Sequence, residues 1–155
     1  MMNLQRRRRG FSLIELLIVI VIILIIITIA LPKFSSAQRY AKETSALGAI
    51  RTIHTMQVQY YSQYGKYATA LTELGPPASG AEGPAAAGLI DSTLASGEKG
   101  GYKFTLSANS GGYIINAAPV AFGVSGSRTF YSDQSMVVRQ NFGQEPATAN
   151  SPEMK

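Results

Sequence analysis

At 155 residues the chain holds one small domain plus appendages. Its formal charge of +5 is concentrated: four of its fourteen Lys and Arg are the run Arg6, Arg7, Arg8 and Arg9, and beyond that run ten basic residues face nine acidic ones, so the body carries no electrostatic footprint for nucleic acid. With no Cys, no Trp and one histidine (His54), disulfides, thiolate metal sites and thiol nucleophiles are excluded, and no cofactor is expected.

Residues 11–31 read FSLIELLIVIVIILIIITIAL. At ~1.5 Å per residue they predict a helix of about 30 Å, the thickness of a bilayer's hydrocarbon core. About seventeen large apolar side chains at roughly −0.4 kcal/mol each outweigh one carboxylate at about +3 kcal/mol, so the segment inserts in spite of Glu15. Arg6, Arg7, Arg8 and Arg9 predict an N-in, C-out orientation. A plain signal-anchor accounts for the basic flank and the length. A cleaved secretory signal with a site near Ser35-Ser36-Ala37 competes poorly, because the apolar run exceeds 7–15 residues and Pro32-Lys33-Phe34 intervenes. Neither reading explains Glu15: an ionisable group inside a membrane helix points to a function, unless it snorkels to the nearby interface.

The string Arg9-Gly10-Phe11-Ser12-Leu13-Ile14-Glu15, followed by an apolar run, resembles the processing motif of type IV prepilins and type II secretion pseudopilins. The resemblance covers about the first forty residues. It implies a leader cut after Gly10 by a membrane aspartyl prepilin peptidase, and N-methylation of Phe11 by the same enzyme. It also implies an assembly role for Glu15, fifth in the mature chain. The cleaved chain start is then an amine that a neighbour's Glu15 can meet in apolar surroundings, where a matched pair is tolerated and an unmatched charge is not. The implied partners are identical or related pilin subunits, the peptidase/methyltransferase, an inner-membrane assembly platform with its ATPase motor, and the lipid bilayer before assembly. The implied location is the inner membrane as precursor and an extracellular or cell-surface filament when mature. Many members carry a glycine in the apolar helix and residues 11–31 have none, so the resemblance carries no expectation of local melting here.

Pro32 either kinks one long helix or ends the membrane segment. Residues 33–64 have few breakers, and Ala46, Ala49, Ile50, Ile53, Met56, Tyr60 and Tyr64 form an apolar stripe at helical spacing. Arg39, Lys42, Glu43, Arg51 and Gln59 are expected largely off that stripe. His54 lacks a second ligand nearby and is read as a surface or core-filling histidine. Tyr60, Tyr61, Tyr64 and Tyr67 are expected to secure the helix end against the head. Gly65 predicts the helix stop, and 65–100 a connecting loop with short helical turns within 68–74 and 89–96.

From residue 101 the period changes to two. Strands are predicted over 102–106, 113–120, 127–131 and 135–140, with a turn at 109–112 and a hairpin link at 132–134. The expected fold class is α+β: a leader (1–10), a transmembrane helix (11–32), its amphipathic extension (33–64), the connection (65–100), an antiparallel sheet (101–142) and an irregular tail (143–155). No phosphate loop, metal motif or hydrolase elbow is present, so the chain reads as the substrate of an enzyme and not as one. The alternative is a type II secretion pseudopilin, whose relatives commonly carry a C-terminal calcium site and a Trp-containing loop. A third possibility is an anchored adhesin that never polymerises.

Overall fold

The computed structural model describes residues 10–154. The element order is α1 (Leu13–Tyr64), α2 (Leu71–Leu74), α3 (Ser92–Ala95), β1 (Glu98–Lys99), β2 (Tyr102–Asn109), β3 (Gly112–Pro119), β4 (Thr129–Asp133) and β5 (Val138–Asn141). The chain divides into two units, one ending at Ser36 and the other comprising Ala37–Lys155.

The described part of the first unit is helix from Leu13, and all its side chains face solvent. Its polar groups satisfy themselves locally. Thr28 Oγ1 donates to the Ile25 carbonyl at 2.7 Å, so the hydroxyl needs no outside partner in an apolar medium. Pro32 lies inside α1 and removes the N–H that would bond the Thr28 carbonyl. Its own carbonyl accepts from Ser35 Oγ at 2.9 Å and Ser36 Oγ at 3.2 Å.

The second unit is the α+β head. The sheet runs β1-β2-β3-β4-β5 in chain order with every pair antiparallel. Alternation puts one face of each strand inward, and register makes the inward rows complementary. Phe104, Ala117 and Phe130 lie opposite one another, as do Leu106, Ile115 and Ser132, so the small Ala117 makes room between two phenyl rings. Against this face lie Ala46, Ala49, Ile50, Ile53 and Tyr60 of α1, all buried. Met56 and Tyr64 are partly buried at the edge of the same core. Leu71, Leu74, Ile90 and Leu94, from and around α2 and α3, complete it.

Gly65 ends α1 with φ of +69°, its N–H bonding the Tyr61 carbonyl at 2.8 Å. The connection that follows is tied to α1 by side chains. The buried Gln57 amide donates to the Ala68 carbonyl at 2.8 Å and accepts the Ala68 N–H at 2.9 Å. Tyr60 donates to the Pro84 carbonyl at 2.6 Å.

The last hairpin differs from its sequence reading. Ser132 and Asp133 belong to β4, and the turn moves on to include Ser135 and Met136. Asp133 caps this turn, accepting the Ser135 N–H at 2.9 Å, and Met136 adopts φ of 62°. The tail forms no regular element but returns along β5: Gln140 N–H bonds the Pro152 carbonyl, Met154 N–H bonds the Val138 carbonyl, and Arg139 pairs with Glu153 at 2.9 Å. It covers an edge that would otherwise be open.

Candidate processing and assembly site

Gly10 and Phe11 precede α1 and are exposed, Phe11 by 88%. Ser12 stands in the N-cap position, and Glu15, three residues on, turns back so that its Oε2 accepts the Ser12 backbone N–H at 2.8 Å. This is the reciprocal half of a capping box, in which a carboxylate satisfies a donor that helix geometry leaves orphaned and faces the positive end of the helix dipole. The signal was present in the sequence as Ser-x-x-Glu before an apolar run. The structure thus puts Gly10, Phe11 and Glu15 together at one helix start, with Pro32 further along α1. Arg6, Arg7, Arg8 and Arg9 lie outside the described residues.

From Leu13 to Leu31 the apolar side chains are exposed among the described residues, and the helix is long and apolar enough to cross a membrane. Those side chains require lipid or other protein around them.

Two buried polar clusters hold α1 to the sheet in the second unit. Glu43, expected on the solvent side, is buried and binds the chain leading into β4. Its Oε1 accepts the Ser127 N–H and hydroxyl at 2.8 and 2.9 Å, and its Oε2 accepts Arg128 Nε and Nη2 at 3.0 and 2.6 Å. Burial pushes the Glu43 carboxyl up, but the Ser127 and Arg128 hydrogen bonds outweigh it and hold the group below its ordinary range.

His54 is buried, with Nδ1 at 2.7 Å from Tyr113 Oη and Nε2 at 2.8 Å from Ser132 Oγ. The Ser132 hydroxyl donates to the Val137 carbonyl at 3.0 Å, so it accepts from Nε2–H, and Nδ1 accepts the tyrosine proton. That arrangement suits a neutral imidazole. Burial lowers the His54 pKa, opposed in part by the Asp133 charge, and burial pushes Tyr113 up to about 12. Tyr113 also touches Tyr67, which touches Tyr61, with centroids 4.9 and 4.7 Å apart. These rings join the helix end to β3. The partners of His54 lie 59 and 78 residues away, and no local spacing could have announced them.

A family model described as the prokaryotic N-terminal methylation motif matches residues 5–31, the stretch that contains Gly10, Phe11 and Glu15. The chain is also similar to the type IV major pilin protein PilA of Myxococcus xanthus (strain DK1622), at 38% identity over 69 residues. Over its amino-terminal segment the chain carries the prokaryotic methylation motif and is similar to a type IV pilin. The match to the Myxococcus pilin covers 44% of this chain and 31% of that protein. No solved structure matches. The α+β architecture, a long apolar N-terminal helix with an antiparallel sheet, is that of a pilin-like protein.

Proposed function

We propose that this chain is a structural subunit of a type IV pilus or pilus-like filament and is not itself an enzyme. The observation that carries the reading is the conjunction, in one helix, of the methylation motif, the Glu15 carboxylate at its start and an apolar surface that is exposed among the described residues. In this reading a prepilin peptidase cuts after Gly10 and methylates Phe11. The precursor waits in the inner membrane, N-in and C-out, with Arg6, Arg7, Arg8 and Arg9 keeping the leader cytoplasmic. An assembly platform and its ATPase motor lift it into the filament, where helix-on-helix burial replaces burial in lipid. Pro32, whose missing hydrogen bond weakens the helix locally, is the place for α1 to bend during that transfer.

Glu15 then meets the Phe11 amine of an adjacent protomer. A carboxylate in a bundle of apolar helices needs an opposite charge, and the cleaved chain start supplies one at the right end of the helix. Mass spectrometry of sheared surface filaments tests the reading. An abundant chain beginning at N-methylated Phe11 is expected. Recovery of this chain only as an unprocessed membrane protein contradicts it.

A further inference from the structure

The loop joining β3 to β4 exposes three apolar side chains in a short span: Val120 (54%), Phe122 (39%) and Val124 (67%). Such side chains on a floppy loop would carry little meaning, but this loop is fixed. Val124 and Ser125 N–H groups bond the Ala121 carbonyl, Gly123 N–H bonds the Gly126 carbonyl at 2.7 Å, and Arg39 Nη1 donates to the Gly123 carbonyl at 3.1 Å. The Glu43–Ser127–Arg128 cluster clamps its far side. Gly126 lies so close to the Tyr102 ring that a Cβ there would strike the hydroxyl. The molecule therefore holds an apolar tip in place and leaves it uncovered.

Its position within the second unit indicates what covers it. The tip is bound to Arg39, two residues after the unit begins at Ala37. Residues 32–38 are all that separate Arg39 from the apolar run, and even fully drawn out seven residues reach only about 25 Å. Basic side chains stand at the same end: Arg39 holds the tip and the Lys42 stem lies by Gly101, while of the acids on adjoining elements Glu43 is neutralised by Arg128, Glu98 stands opposite Lys103, and Glu145 lies beside Thr129 at the start of β4. An apolar tip flanked by basic side chains, short-tethered to a membrane span, matches a phospholipid headgroup layer in both hydrophobicity and charge.

We propose that before assembly the β3–β4 loop rests in the headgroup layer of the bilayer that holds the apolar span. Val120, Phe122 and Val124 contact lipid, and Arg39 and Lys42 face phosphates. The inference rests on the membrane-anchored reading above and adds a second, peripheral contact that orients the head. Extraction into a filament would then have to release this loop as well as the helix.

The absence of native cysteine makes the test clean. The full chain carrying Val124→Cys, labelled with an environment-sensitive fluorophore, is reconstituted in phosphatidylcholine–phosphatidylglycerol vesicles. Ser110→Cys, in the turn at the other end of β2, serves as reference. Nitroxide-bearing headgroups should quench the Val124 label several-fold more than the Ser110 label, and aqueous iodide several-fold less. The difference should persist as the protein-to-lipid ratio is lowered, and vanish when Val120→Ser and Phe122→Ser are added. Equal accessibility of the two labels in an inserted chain overturns the inference alone. Protection that disappears on dilution overturns it in favour of a second copy of the chain. A chain that washes off the vesicles at high pH overturns the anchored reading with it.

Discussion

Glu15 is engaged by its own helix at 2.8 Å before any neighbour arrives, so loss of assembly in an alanine variant has two possible origins. Glutamine separates them, because its carbonyl still caps the Ser12 N–H while its charge is gone. Glu15→Ala should lose the cap, about 1 kcal/mol of helix-start stability, together with the charge. Both variants should insert in the membrane, and both should yield few or no surface filaments by shearing and immunoblot. Filaments from Glu15→Gln at normal yield would reduce the residue to a cap. The buried residues of α1 make a second prediction. His54 is held below its ordinary 6.5 and Glu43 below 4.5, so the folded head binds fewer protons than the unfolded chain near those values. Stability is therefore full above about pH 7, falls as pH drops below 6.5 and through the lowered His54 value, and falls again below 4.5 as Glu43 protonates. Thermal melts between pH 7 and 5 should show the first loss, and His54→Gln should flatten it without abolishing the second.

At the scale of elements, the strands that could be read from alternation are those whose inward and outward residues differ sharply, as in Tyr102–Asn109. The hairpin link was misplaced because Ser132 looks like turn chemistry. In the fold its hydroxyl points inward, bonded to His54 and to the Val137 carbonyl, and so belongs to a strand. Glu43 looks like a solvent-facing helix residue for a similar reason: its partners are 84 and 85 residues distant. Helical periodicity identifies the buried stripe, whereas the polar residues allowed into it depend on contacts that only the folded chain reveals. The returning tail could not be read as an edge cover, because pairing across 139 and 153 leaves no local pattern. Removing residues 144–155 should therefore speed amide exchange at Val138–Asn141, with the β2–β3 amides unchanged. Equal exchange in the two chains would mean that the tail protects nothing.

For the whole molecule, an apolar helical surface from Leu13 to Leu31 that is exposed among the described residues is unfavourable for an isolated chain in water. In the proposed reading the same surface suits a bilayer first and a bundle of identical helices afterwards, so that one chain serves as membrane precursor and as filament subunit. The pilin-type start of the chain was legible in full, since it is written in contiguous residues. The proposed pairing of two such starts between protomers is the part no single chain displays. Zero-length carbodiimide crosslinking of filaments grown from mixed nitrogen-15-labelled and unlabelled subunits tests it most directly. An amide joining the Phe11 amine of one isotope to Glu15 of the other is the predicted product, and crosslinks confined to one isotope, or a Phe11 amine joined elsewhere, would contradict it.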